Sequence, residues 1–213
     1  MVKRSWLSLL ILILGAGLGP EAAPAGTFGR VVPIGGQATD LALDESRGVL
    51  YIANFTANRI EVMSLADGAI QRSMNVAAQP NSLSVSPDNR WLAITHYGAA
   101  PAGQTARNSL TLIDLNTNAR QTFALAAAPL GVAFGADGLA LIVTATEFVL
   151  FDPVLGTTRQ VATMAEIATK AIPQPQGNFP LQITTATLGL SGDRRHIYGL
   201  TDSLLFYYSV DNK

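Results

Sequence analysis

Asn54, His96 and Asp202 are the residues of this chain whose types and placement come closest to a reactive centre. Asn54 closes the run Leu50-Tyr51-Ile52-Ala53-Asn54, His96 closes Trp91-Leu92-Ala93-Ile94-Thr95-His96, and Asp202 follows Tyr198-Gly199-Leu200-Thr201. Oxygen and imidazole donors at equivalent strand ends are what a cation needs, provided that several of them converge. The matching positions elsewhere hold Ala145 and Thr201, so a hydrogen bond at the strand end is the simpler reading. Asp88, Asp137 and Asp193 recur in polar turns, where a carboxylate accepts backbone N–H groups and tolerates tight geometry. That accounts for them without repeated calcium sites. No nucleophile elbow, zinc-helix motif, phosphate loop or haem-attachment motif occurs, and zero Cys excludes thiolate chemistry and disulfides. No catalytic residue, no cofactor and no metal ligand is expected; Asn54, His96 and Asp202 stay as channel or loop candidates.

The elements that would position these residues come from an internal repeat. Leu43–Asn54, Val85–His96, Phe134–Ala145 and Leu190–Thr201 align without a gap as strand, polar turn, strand. A third strand follows each copy, at Ile60–Ser64, Leu110–Asp114, Phe148–Asp152 and Leu205–Ser209. A strand leading through a Gly or Pro turn precedes the copies, as in Gly29–Gly36, Ser73–Pro80 and Gln121–Pro129. Four antiparallel strands in roughly 40 residues describe a propeller blade. The fold expected is therefore all-β: a β-propeller with four-stranded blades, about four of them present. The blades fall near 37–76, 79–125, 128–163 and 181–213. A sandwich also has short, regularly spaced strands, but it does not call for the same module four times over. Loops differ between copies. Tyr97–Asn108 is inserted in the second, and 164–180 joins the third to the fourth, with helical spacing from Met164 that stops at Pro173. The pairs Leu41/Leu43, Leu83/Val85, Val132/Phe134 and Leu188/Leu190 alternate as core positions should.

Residues 1–25 have the plan of an export signal: Lys3 and Arg4, the apolar run Trp6–Leu14, then Ala23-Pro24-Ala25 as a small-residue cleavage site. The remainder, 26–213, is long enough for one sizeable core. An exported location follows, periplasmic, secreted or on the cell surface, with no membrane span once the signal is removed. A net charge of −1 gives no electrostatic case for nucleic acid. With 14% charged and 48% hydrophobic residues, the composition suits many short buried strands.

Ser86-Pro87-Asp88-Asn89-Arg90 before Trp91–Thr95, together with Tyr51-Ile52-Ala53-Asn54 and Leu112-Ile113-Asp114, resembles the YVTN-type β-propeller repeat family. The third and fourth copies, Ile142-Val143-Thr144-Ala145 and Tyr198-Gly199-Leu200-Thr201, keep the pattern loosely. The resemblance covers about 29–213 and implies an exported bacterial or surface-layer protein. Lactonase-type propellers, which place Asn, His and acidic residues around a central channel, supply an alternative in which the chain is a hydrolase. The reading adopted is a non-enzymatic scaffold that offers its blade loops to a protein or glycan. Four blades make either a tight ring, which the run Arg30–Ile34 could complete as a closing strand, or part of a larger propeller. The second is favoured, with blades four and one not packed on each other.

Overall fold

Apolar residues alternating on both sides of short strands give sheets that must bury two faces, and the chain meets this demand by stacking four sheets in series. The computed structural model describes residues 31–98, 108–171 and 182–212. The proposed signal, the body of the Tyr97–Asn108 insertion and the Pro-rich run after Pro173 lie outside the described residues. All elements belong to the unit 32–213. Blade one holds β1 (Ala38–Asp44), β2 (Val49–Asn54), β3 (Arg59–Ser64) and β4 (Ile70–Asn75). Blade two holds β5 (Pro80–Val85), β6 (Trp91–His96), β7 (Ser109–Asp114) and β8 (Arg120–Ala124). Blade three holds β9 (Pro129–Phe134), β10 (Ala140–Thr144), β11 (Glu147–Asp152) and β12 (Thr157–Thr163). Blade four holds β13 (Ala186–Leu190), β14 (His196–Thr201) and β15 (Leu205–Ser209). Each sheet is an antiparallel meander in chain order, with its first strand innermost. These are blades of a β-propeller.

Inner strands pack in sequence: β1 against β5, β5 against β9, β9 against β13. Each blade therefore has a forward face toward the next blade and a backward face toward the one before. Tyr51, Ile60 and Val62 on the forward face of blade one meet Leu83, Val85, Leu92 and Ile94 on the backward face of blade two. Ala93, Leu110 and Leu112 then meet Val132, Phe134 and Ile142, and Leu141, Val143 and Phe148 meet Ile197 and Phe206. β13 and β1 form no comparable seam, so the four blades make an open arc. Residues 31–34 form no strand, and the Ile34 carbonyl accepts a hydrogen bond from Asn54 Nδ2 of blade one (3.1 Å); it does not complete blade four.

The turns explain why the repeat is visible. Asp88 Oδ1 accepts from Ser86 Oγ (2.5 Å) and Arg90 N (3.1 Å), and Asp193 Oδ1 accepts from Ser191 Oγ (2.6 Å) and Arg195 N (3.0 Å). Blade one makes the same turn with the two residue types exchanged: Ser46 Oγ donates to Asp44 Oδ1 (2.6 Å). Asn89, Gly138 and Arg194, each just after the turn Asp, take positive φ values of 56°, 79° and 56°. The ungapped alignment is off by one in blade three. Val85 pairs with Leu92, whereas Phe134 pairs with Ala140, so the third turn is one residue shorter and Ile94 corresponds to Ile142.

The helix α1 (Met164–Ala171) begins with a reciprocal cap. Glu166 Oε2 accepts from Thr163 N (2.8 Å), and Thr163 Oγ1 accepts from Glu166 N (3.1 Å). Its buried Met164 packs in the seam between blades three and four. No helix among the described residues is long and apolar enough to cross a membrane.

The core pairs divide by position in the arc. Leu83, Val85, Val132 and Phe134 are buried, but Leu41 is 61% and Leu43 43% exposed, because no blade among the described residues packs on the backward face of blade one. Leu190 is also exposed, at the rim of the axial cleft. Leu83→Ala should lower unfolding free energy by about 2–5 kcal/mol, whereas Leu41→Ala in the monomer should change it by under about 0.5 kcal/mol. Denaturant midpoints of the two variants measure this; equal losses would contradict the open arc.

Candidate functional site

The strand-end position that holds the channel or loop candidates braces the next turn in three of the blades. By pairing register, Asn54, His96, Thr144 and Thr201 are equivalent, which replaces Ala145 by Thr144 in blade three. Asn54 Oδ1 accepts from Ala57 N (3.2 Å), Thr144 Oγ1 from Glu147 N (3.0 Å), and Thr201 Oγ1 from Leu204 N (2.8 Å). A short polar side chain here satisfies backbone donors that the turn leaves open.

In blades one and two the same position also starts a polar ladder across the sheet. Asn54 Nδ2 donates to Glu61 Oε1 (3.2 Å), and Glu61 Oε2 accepts from Ser73 Oγ on β4. Burial pushes the Glu61 carboxyl up, but hydrogen bonds from Ser73, Arg59 and Asn54 outweigh it and hold the group below the usual carboxylate range. Arg59 Nε stands 2.5 Å from Glu61 Oε1. In blade two, His96 Nε2 lies 2.9 Å from Thr111 Oγ1, which lies 3.1 Å from Thr122 Oγ1 on β8. His96 Nδ1 is 3.2 Å from the Ala78 carbonyl. A carbonyl only accepts, so Nδ1 carries the proton and Nε2 accepts from the Thr111 hydroxyl. Burial pushes the imidazole down to about 4, outweighing the Ala78 carbonyl, which favours protonation. His96 is thus a neutral, buried link between strands.

Asp202 stands apart from both ladders. Its Oδ2 accepts from Thr184 N (3.2 Å) and Thr184 Oγ1 (2.9 Å), which ties the entry to blade four onto the β14–β15 turn. The three candidates therefore sit in three different blades, each bonded within its own blade or to the chain entering it. Among the described residues no group of three or more His, Asp or Glu side chains comes together as a metal site.

The inner strands enclose an axial cleft of about 240 Å³, with Asp40, Ser84 and Arg194 as its polar side chains. These groups stitch blade to blade. Asp40 Oδ2 accepts from Ser82 Oγ (2.7 Å) and Leu83 N (2.9 Å). Ser82 and Ser84 Oγ accept from Val132 N (3.2 Å) and Phe134 N (3.1 Å). Arg194 Nη1 reaches back from blade four to the Val85 carbonyl of blade two (2.7 Å). Arg194 and Arg195 read from sequence as ordinary solvated charges. The structure corrects this for Arg194, which spans blades; Arg195 is a surface charge that pairs with the equally exposed Asp211 at 2.9 Å. The available signal was Arg194 following Asp193, where the other copies place Asn89 and Gly138.

Sequence reasoning missed the forward face of blade four. Tyr198, Leu200, Leu205 and Tyr207 are 49%, 61%, 79% and 70% exposed. Their register equivalents are buried in the other blades: Tyr51, Ala53, Ile60 and Val62 in blade one, Ala93, Thr95, Leu110 and Leu112 in blade two. Residue type alone gives no warning, because the strands look like every other core strand.

No family model matches the chain, and no curated protein matches it. Among solved structures, hydrazine synthase of Kuenenia stuttgartiensis is similar in fold, with a TM-score of 0.61 and 12% sequence identity. The match covers 88% of this chain and 49% of that one, so this chain spans about half the length of its structural neighbour. At that identity the likeness is one of β-propeller fold.

The buried His96 makes stability pH-dependent with a defined sign. Its folded pKa, about 4, lies below the ordinary imidazole value of 6.5. The unfolded chain then takes up the proton first as pH falls. Stability is full above about pH 6.5 and declines toward pH 4, by up to about 3 kcal/mol. Asp44, Glu61 and Asp88, held below their ordinary values, add losses at lower pH. His96→Asn, the residue blade one uses, should flatten the decline between pH 6.5 and 4 in denaturant titrations. An unchanged slope would contradict the neutral buried imidazole.

Proposed function

We propose that this chain is a non-enzymatic, exported propeller module that acts as an interaction scaffold. The single observation that carries the reading is the bare forward face of blade four. Four large apolar or aromatic side chains stand in solvent at positions whose equivalents are seam residues in every other blade. A contiguous patch of this kind marks a protein-binding surface, and exposed Tyr beside Leu is a composition suited to interface anchors. Support for a partner thus lies in the blade faces rather than in the loops. A glycan, which binds through hydrogen bonds to polar groups, fits Leu200 and Leu205 poorly. Export rests on the plan of residues 1–25. Asn54 and His96 have their polar atoms engaged by neighbouring strands and turns, and Asp202 Oδ2 is held by Thr184, which favours a structural role over a hydrolytic one.

Affinity capture from an exported fraction of the source cells tests this, with wild-type and Leu205→Glu chains as baits. A protein retained by the wild type should be lost or weakened at least about tenfold with the variant. A retained set unchanged by Leu205→Glu, or displaced by free oligosaccharide, would overturn the reading.

A further inference from the structure

A second cleft, of about 320 Å³, opens where the inner strands begin. Phe55, Asn81, Tyr97, Leu130, Thr184 and Thr185 line it, so blades one to three and the entry to blade four all contribute. Phe55 and Tyr97 hold the same place in neighbouring blades, directly after the strand-end residues Asn54 and His96. The same backbone bond pins each of them, from Phe55 N to the Gln37 carbonyl (2.8 Å) and from Tyr97 N to the Gln79 carbonyl (3.2 Å). Blade three makes this bond from Ala145 N to the Ala128 carbonyl (2.9 Å), so the turn itself does not require an aromatic ring. Phe55 is half-buried and Tyr97 is 39% exposed.

The polar part of the wall has a local cause. β5 and β9 each carry a bulge at the same position, Asn81 and Leu130, whereas β13 pairs with β14 without one. A bulge re-aims its side chain, and bulges gather beside functional sites. Asn81 Nδ2 donates to the Leu130 carbonyl (3.1 Å), which fixes the amide and leaves Oδ1 to accept. Thr184 Oγ1 donates to Asp202 Oδ2 (2.9 Å), so its lone pairs face no competing donor of its own. Thr185 is exposed, and its hydroxyl both donates and accepts. Among the described residues, none that lines this cleft is charged, in contrast to the axial cleft with Asp40 and Arg194.

The geometry points to a binding site for a neutral saccharide at this cleft, with Phe55 and Tyr97 as the stacking surface and Asn81, Thr184 and Thr185 as the polar contacts. Aromatic walls with a few fixed polar groups are the plan of a small-molecule pocket. A sugar ring has an apolar C–H face and a rim of hydroxyls that donate and accept, which matches both parts of the lining. A carboxylate, phosphate or ammonium group would find no counter-charge there and would lose its hydration without compensation. A wholly apolar ligand would leave Asn81 Oδ1 and the two hydroxyls without partners. Ligand pockets run from about 300 to 1,000 Å³, so this one is small and suits about one or two sugar rings. The site stands independently of the scaffold reading, because Tyr198, Leu200, Leu205 and Tyr207 are not among the residues that line it.

An array of neutral oligosaccharides, with uronic-acid and sulfated members beside them, is probed with the full chain, and retained members are titrated by calorimetry. Neutral members should be retained. Tyr97→Ala should raise their dissociation constant at least about tenfold, while Tyr97→Phe, which keeps the ring, should stay within about threefold of wild type. Thr185→Val, which keeps the shape and removes the hydroxyl, should raise it at least about threefold. Tyr97 and Thr185 are exposed, so the thermal midpoints of these variants should stay close to wild type. Leu205→Glu should bind the same sugars unchanged, and the sugars should leave protein capture through Leu205 intact, which separates this site from the scaffold reading. Retention of acidic members alone, an array that retains nothing, or a dissociation constant unmoved by Tyr97→Ala would overturn the inference. Loss of sugar binding in Leu205→Glu would place the sugar on the face of blade four and overturn it as well.

Discussion

Everything in this fold depends on the seam, the burial of one sheet's forward face against the next sheet's backward face. A single four-stranded meander has two apolar faces and cannot hide both by itself. Stacking solves this only for faces that find a neighbour. At the axis the seam gains direction from side chains that accept backbone donors of the following strand, Asp40 for Leu83 and Ser82 for Val132. Between blades three and four the device changes. Gly131 stands where Ser82 does, and a Cβ there would lie 3.1 Å from Leu188 Cγ, so the stitch gives way to a close apolar approach. The seam is thus one geometry reached by two chemistries.

That distinction governs how far the sequence could be read. The strand–turn–strand module was legible because the turn imposes specific residues: a carboxylate to take the backbone donors, then a residue able to hold positive φ. Asp88, Asp137 and Asp193 announce it. In blade one the turn survives with Ser and Asp exchanged between Asp44 and Ser46, so identity fails while the hydrogen-bond roles persist. The one-residue deletion in blade three was hidden for a related reason. Ala140–Val143 is apolar throughout, both faces of the strand are buried, and a slip by one costs little in pattern.

The candidate site was legible only as a position. Asn54 and His96 were placed correctly as equivalents, and strand-end hydrogen bonding was the simpler reading. Their ladders through Glu61 and Ser73, and through Thr111 and Thr122, were not visible, because cross-strand neighbours are distant in sequence. Nor was the fate of the end faces. Leu41 and Leu83 have the same type, period and turn context, and differ only in whether another blade stands in front of them. Exposure at the ends is a property of the assembly, which no local pattern records. Arg194 is the converse case, a residue that looks local and in fact spans two blades.

Blade four, with three strands among the described residues and one seam, has a consequence for how the arc comes apart. A row of units that touch only their neighbours behaves as a one-dimensional array, in which end units are held by one coupling and inner units by two. β15 also presents a backbone edge where its counterparts β3, β7 and β11 have a fourth strand beside them. Opening therefore starts at blade four and travels inward, so the last elements to lose protection from exchange are the inner strands of blades two and three.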